Sequence, residues 1–478
     1  MMTRIKAKLF KLTAMAAAAL VLAGCASVNF DQTVGETNQT TSAFTSGRLT
    51  FSQTAEQTAA RSKLSSELLS KPLSSDEAVQ LALANSPNVQ TMLAQTWADM
   101  AAANQSGRIA NPIFTFERMT FKDELELGRL LSFGLLDLLS LPRRQAIAQS
   151  RMAQAQVQLS AHIVEQVTQV RQAWVRAVAA SQVLQFAEQI NTTAEASAEL
   201  GRRMERVGNF NKLQRARQQV FYADSVVQLA SAQHAALTGR EELTRLLGLT
   251  DQQASQLKLP ERLPDLPKEA RSPQVVNAAA AEQRLDVQMA RNQLDAAGKA
   301  QGLTLLTSLV DVEVGIRRDT VFDNAGGVGQ VSSRRGVELG IRLPIFDWGY
   351  ARRDAMNAQS LVAANRYEST IRSATSQLRE SYSAYRTAYD VSRHYRDEIV
   401  PLRKTMAEEN VLRYNGMLIG VFELLADTRS QISSVVAAIN AYQQFWLADA
   451  ALSASMTGKP TAMMMAAPAA AGAGDKPH

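Results

Sequence analysis

The residues of this chain best suited to chemistry are spaced so that they do not work together. His162, His234, His394 and His478 lie far apart, and no two show the i, i+4 spacing with which one helix offers a pair of ligands to zinc. Gly326-Gly327-Val328-Gly329 has the glycine density of a phosphate loop, but the Lys-Ser/Thr and the helix start that would cradle a phosphate do not follow it. There is no nucleophile elbow and no carboxylate pair on a scaffold suited to hydrolysis. Met463-Met464-Met465 with terminal His478 has the soft donors that suit Cu(I) or Ag(I), yet its Ala/Gly/Pro surroundings read as a disordered low-complexity tail. Glu423 and Asp427 are four residues apart and share one helix face. In a trimer they would stack as two acidic rings that favour cations, or they are a solvated face with Arg429 as surface partner. The pattern predicts no enzyme, no metal site and no cofactor.

The elements that must carry these residues are written twice. Glu126-Leu127-Gly128 with Arg143-Arg144 downstream returns as Glu338-Leu339-Gly340 with Arg352-Arg353. Each block precedes an Ala/Gln-rich helical run of roughly 65 residues, close to 100 Å at the rise of an α-helix. Each run meets a small-residue break, Val207-Gly208-Asn209 in the first copy and Tyr414-Asn415-Gly416 in the second. Gly208 and Gly416 are expected to take a positive φ there. Ser74-Ser75-Asp76-Glu77 opens a helix with a hydroxyl cap and early acids, and the second copy begins in the same way at Arg271-Ser272-Pro273. Tyr382, Tyr385 and Tyr389 recur at helical spacing and are expected to fill an interhelix seam, while Pro401 should remove a hydrogen bond and bend the second run.

Four segments have strand character. Val310, Val312, Val314 and Ile316 alternate with Asp311, Glu313, Gly315 and Arg317, and Val337, Leu339, Ile341 and Leu343 alternate with Glu338, Gly340 and Arg342. Residues 113–119 and 125–133 are their less regular counterparts. Arg318 to Arg335, rich in Gly and Ser, reads as an outward loop. A soluble sandwich and a membrane barrel both permit one oily and one charged face; the barrel is preferred because the long helices leave no second sheet to cover the oil. Asp311, Glu313, Arg317, Glu338 and Arg342 would then line the lumen. Four strands cannot close a barrel, whereas three copies would supply twelve.

The N-terminus places this assembly. Arg4, Lys6, Lys8 and Lys11 precede a short apolar stretch and Ala23-Gly24-Cys25, the pattern of a signal peptide over 1–24. Leu22-Ala23-Gly24-Cys25 resembles the bacterial lipobox, which implies a covalent lipid on Cys25, the only cysteine; Ala26 and Ser27, in place of an inner-membrane retention Asp, favour the outer membrane. The formal charge is +6, and without the four basic residues of the signal it is +2, too small to argue for nucleic acid. The expected organisation is a lipid-anchored extended tether over 25–70, a first repeat over 71–259, a linker over 260–272 with Pro260, Pro264 and Pro267, a second repeat over 273–458 and a tail over 459–478.

The order of lipobox, helix, strand pair and long helical hairpin, then all but the lipobox again, resembles the TolC family of outer-membrane efflux proteins. Tyr414 to Asp427 is similar to the family's Tyr-x-x-Gly and leucine-rich helix start, with the Gly one residue early. The resemblance implies an α+β membrane protein: a homotrimer with a twelve-stranded outer-membrane barrel and a periplasmic tunnel of long helical hairpins. It also implies partners, a periplasmic adaptor and an inner-membrane pump, docking near Val207, Gly208, Asn209 and Phe210 and near Tyr414, Asn415, Gly416, Met417 and Leu418. Many relatives close the entrance with aspartate rings, where this chain has Phe422 and Leu425, with Glu423 and Asp427 beside them. The function implied is the exit duct of a tripartite efflux system. A duct for type I polypeptide secretion and a periplasmic coiled-coil scaffold without a pore are the alternatives.

Overall fold

A computed structural model of the chain describes residues 29–122, 124–274, 276–277, 284–307, 311–323, 329–342, 346 and 348–458. Cys25, Val310, Gly326-Gly327, Leu343, the methionine cluster and His478 lie outside them. The chain divides into two compact units, one of Ala94–Gln156 and Ala290–Arg366 with the residues up to Glu36, the other of Thr37–Leu93, Val157–Met289 and Tyr367–His478.

The first unit is organised by one antiparallel sheet in the order β1 (Ile113–Phe121), β2 (Glu124–Gly134), β3 (Asp311–Asp323) and β4 (Gln330–Arg342). The two copies of the strand pair therefore lie side by side, joined by the β2–β3 ladder from Glu124↔Asp323 to Gly134↔Glu313. In the second hairpin the strands run well into the stretch expected as a loop: Arg318↔Arg335, Asp319↔Arg334 and Thr320↔Ser333 are ladder pairs, and pairing continues to Asp323↔Gln330. Its Gly, Ser and Arg content masked the period of two, because in a sheet with one wet face hydroxyls and guanidinium groups fill alternate positions without an aliphatic signal. Helix α4 (Pro87–Ser106) leads to β1, and α5 (Leu135–Arg206) follows β2 directly. Arg144 binds these ends together, donating to Asp137 Oδ1 at 2.9 Å and to the Ser106 carbonyl at 3.1 and 3.2 Å.

The second unit is helical. α5 is 72 residues long, about 108 Å at 1.5 Å per residue. Its central turns bury Val164, Val167, Val170, Trp174 and Val178, an apolar seam at helical spacing that holds a helix of this length to its neighbours. α6 (Lys212–Leu247) returns, followed by the short α7 (Asp251–Gln256); α8 (Leu285–Thr307) opens the second copy. There, α9 (Tyr350–His394), a π turn (Tyr395–Ile399) and α10 (Val400–Asn415) run without a break, and α11 (Val421–Thr457) returns. The π turn precedes Pro401, and Val400 donates to Tyr395 five residues back, so the missing proline N–H is absorbed by widening the ladder.

Duplication is visible in the packing: Trp174 Nε1 donates to the Leu73 carbonyl at 2.8 Å in the first copy, and on the outgoing helix of the second the Tyr382 hydroxyl donates to the Arg271 carbonyl at 3.2 Å. On the returning helix Trp446 Nε1 donates to the Pro264 carbonyl of the linker at 3.1 Å. Tyr385, Tyr389 and Phe445 form the centre of a buried cluster with Val276, Leu378 and Leu452, the seam expected of the tyrosines. Their hydroxyls serve the linker: Tyr385 accepts from Arg271 N–H, and Tyr389 donates to the Lys268 carbonyl at 2.9 Å. The cap at Ser74 forms as expected and opens α3 (Ser75–Asn85), its hydroxyl accepting from Glu77 N–H. Lys71 and two Ser74 donors on the Glu77 carboxylate lower its pKa to about 2.

Residues 25–70 were expected to be an extended tether, and from Phe30 onward they are not. α1 (Phe30–Thr41) and α2 (Ala55–Leu69) form there, α2 with a complete capping box at Thr54 and Gln57. Leu49, Leu68 and Leu69 are buried, and Arg171 reaches the Phe44 carbonyl at 2.9 Å. The apolar residues of this stretch are too few and too widely spaced to show a period, so their burial depends on contacts distant in sequence. No helix among the described residues is long and apolar enough to cross a membrane.

Candidate channel lining, tips and gate

The register fixes which strand residues share a face. One face carries Phe114, Phe116, Leu131, Phe133, Val312, Val314, Ile316, Val337, Leu339 and Ile341. Most of this aliphatic surface is exposed, Phe114 at 63 % and Val337 at 78 %, while Val312 and Val314 are half-buried. The other face carries Glu117, Glu124, Glu126, Glu313, Asp319, Asp323 and Glu338 against Arg317 and Arg334. It is the crowded side, where Asp319 and Val321 are buried.

At the centre of the polar face Arg317 donates to both oxygens of Asp319 at 3.0 Å and to Glu117 Oε2 at 3.1 Å. Gly128, the last residue of the first Glu-Leu-Gly block, lies beneath them. A Cβ at that position would stand 3.2 Å from Asp319 Oδ1 and 3.4 Å from Arg317, so the repeated glycine makes room for the ion cluster. Of the lining residues expected from alternation, Arg317 is in this cluster, and Glu313 and Glu338 are exposed on the same face. Asp311 and Arg342 pair in the backbone register; their side chains lie outside the described part. Glu117 and Asp319 were missed, the first in an irregular strand and the second in the supposed loop. Period-two counting carried through Asp319 would have found it.

The two tips end α5 and α10. At the first, Gly208 has φ +78° and Asn209 N–H reaches back to the Met204 carbonyl at 2.8 Å, with Val207 exposed and Phe210 half-buried. At the second, the expected positive φ at Gly416 does not occur: Gly416 has φ −80° and its N–H still bonds to the Leu412 carbonyl. The left-handed residue is Met417, φ +60°, and Leu418 N–H reaches the Arg413 carbonyl at 2.8 Å. The helix keeps its last bond one residue longer, and the chain reverses at the next position whichever side chain stands there. Tyr414, Asn415, Met417 and Leu418 are all exposed, Met417 at 93 %.

Glu423 is exposed and Asp427 half-buried on the first turns of α11. Arg429, the alternative partner, turns elsewhere: its guanidinium lies 3.7 Å from the Phe221 ring centroid, and burial there works against its charge while Asp224 supports it. His394 is 3.2 Å from Glu398, and His162 3.9 Å from Glu165, ordinary exposed helix pairs. Among the described residues no cluster of His, Cys, Asp and Glu could hold a metal ion.

Residues 270–451, most of the second repeat, match the family described as outer membrane efflux protein. Solved structures share the chain's fold over most of their length. The CmeC outer membrane channel of Campylobacter jejuni aligns at a TM-score of 0.65 and 14 % identity, over 84 % of this chain and 86 % of that one. VceC of Vibrio cholerae aligns at 0.64 and 15 %, over 80 % and 96 %, and the open state of the MtrE channel of Neisseria gonorrhoeae at 0.62 and 17 %, over 80 % and 89 %. No curated protein sequence matches. The resemblance to the TolC family is thereby borne out, and so is the fold: a four-stranded sheet per chain, long helices and an internal duplication, shared with these outer membrane channels.

Proposed function

We propose that this outer membrane efflux protein is the exit duct of a tripartite efflux system, a trimer whose twelve strands close a barrel in the outer membrane. The observation that carries the reading is the sheet itself. Its aliphatic face is largely exposed, its opposite face is acidic, and β1 and β4 stand at its two edges. In hydrocarbon each unpaired backbone group costs several kcal/mol, so the edges demand strands from sibling chains. The duct supplies a water-filled path while a pump in the inner membrane supplies the energy, and an adaptor docks at the tips around Gly208 and Met417. Glu423 and Asp427 are the acidic candidates at the entrance, and a lipid on Cys25 anchors the chain. Substrate choice rests with the pump.

The purified protein should run as a trimer, show heat-sensitive mobility on gels and give discrete single-channel conductance in planar lipid bilayers, with cations preferred. A monomer without conductance would identify a scaffold instead. Incorporation of labelled palmitate, abolished by Cys25→Ala, tests the anchor.

A further inference from the structure

The turn at Gly208 stands in a run of charge that its counterpart in the second copy does not share. From Arg202 to Arg217 there are six basic residues and one acid, Glu205, a net charge of +5, more than the +2 of the whole chain without its signal. The matching stretch around Gly416, residues 410–425, carries one of each, Arg413 and Glu423, and exposes Met417 and Leu418 instead. Arg202 and Arg203 are held by Glu199 at 2.9 and 2.8 Å, and Arg215 by Glu205 at 3.3 Å. Arg206, Lys212 and Arg217 are exposed, and among the described residues none of the three has a carboxylate partner.

Helix electrostatics account for one side of this run and not for the other. The last turn of α5 ends in orphan carbonyls, which favour the cations of Arg203 and Arg206. α6 begins with orphan N–H groups, which favour anions, yet its first residue is Lys212 and its first turn holds no acid. At the second tip α11 opens in the ordinary way, with Glu423 in its first turn. Cations set against their own helix point to a counter-charge outside the chain.

Their placement says what form that counter-charge takes. The apex, residues 207–211, is uncharged, and the unpaired cations flank it on both helices, with Arg217 five residues, about 8 Å, beyond Lys212. A flat anionic surface meets the apex and stops short of Arg217. A partner that runs alongside the helices reaches all three, and antiparallel helices do so by setting their side chains into the grooves of their neighbours. Resting on the duct reading above, which places an adaptor at the tips, we propose that the first tip docks an acidic helical hairpin, whose Asp and Glu side chains flank its turn and pair with Arg206, Lys212 and Arg217.

The test uses full-length protein in nanodiscs of phosphatidylcholine. The probes are two disulfide-closed helical hairpin peptides, one with glutamates flanking its turn and one with glutamines at the same positions, and binding is read by surface plasmon resonance. The acidic hairpin should bind at least tenfold more tightly than the neutral one, and the difference should vanish in about 1 M salt, where the Debye length falls to about 3 Å. The triple variant R206Q/K212Q/R217Q should bind the two alike and unfold no more easily than wild type, whereas a purely structural role for these cations would lower its unfolding midpoint. R413Q, one charge removed at the second tip, should stay within twofold. Failure of the acidic hairpin to bind, or equal binding of the acidic and neutral hairpins, overturns the proposal. Tighter, salt-sensitive binding of phosphatidylglycerol vesicles overturns it too, by assigning the tip to a lipid surface. Single-channel conductance of the same protein is recorded in parallel. Trimeric conductance without a preference for the acidic hairpin defeats the hairpin and leaves the duct standing; a monomer without conductance defeats both.

Discussion

The two helical hairpins turn with corresponding hydrogen bonds but different residues at the strained position. Gly208 takes φ +78° at the first tip, and Met417 takes φ +60° at the second, although a glycine stands immediately before it. At the far ends of the returning helices the two copies agree instead: Gly248 after α6 and Gly458 after α11 are both left-handed. The difference lies in what surrounds each position. A Cβ at Gly248 would meet Pro87 Cδ at 2.4 Å and Ser86 Cα at 2.7 Å, and one at Gly458 would meet Leu285 N at 2.6 Å, whereas Gly208 has open space. Glycine is required where backbone crowding and a positive φ coincide. At an open tip only the φ penalty remains, about 1 kcal/mol, which an exposed methionine can carry.

The comparison is broken most directly at the crowded site. Gly248→Ala should cost about 3 kcal/mol, the left-handed penalty plus overpacking, read as a lowered midpoint in chemical unfolding followed by helix circular dichroism. A loss below about 1 kcal/mol would show that the backbone around Ser86 yields. Gly208→Ala should cost only about 1 kcal/mol, detected as faster hydrogen exchange at Asn209 while the rest of α5 keeps its protection. Met417→Gly should act in the opposite direction, slowing exchange at Leu418 by relief of the same penalty; no change would mean that the turn gains elsewhere what it loses in φ. The smallest effect belongs to the cap of the first copy. The folded pKa of Glu77, about 2, lies below its ordinary 4.5, so the cap stabilises fully above the unfolded value and that contribution is lost as pH falls from about 4.5 toward 2. Glu77→Gln should remove this slope from acid unfolding curves, with its loss of stability present above about pH 4.5 and vanishing toward pH 2.

Much of this architecture was legible before any coordinates. Ser74 to Glu77 announced a capped helix, the doubled Glu-Leu-Gly blocks announced duplication, and the alternation around Val312 and Val337 announced a two-faced sheet. What escaped were the features without a local period. The helices before Ser70 depend on scattered apolar residues meeting distant partners, and the outer half of the second hairpin is built from Ser, Arg and Gly that read as loop. Of the lining, Arg317 was found and its partners Glu117 and Asp319 were not, because an ion cluster across β1 and β3 joins residues 200 positions apart.

By itself the sequence determined the long helices, the repeat and the faces of the clearest strand stretches around Val312 and Val337, since capping, helical period and strand alternation are set by neighbours a few positions away. The tertiary structure alone decided register. Only the pairing of β2 with β3 and of β3 with β4 brings Arg129, Arg318 and Arg335 onto one line, and only the bond from Leu418 to Arg413 puts Met417 in the left-handed position. Alternation states which side a residue faces, but the depth at which strands meet is fixed by contacts between distant segments, and no local period encodes it.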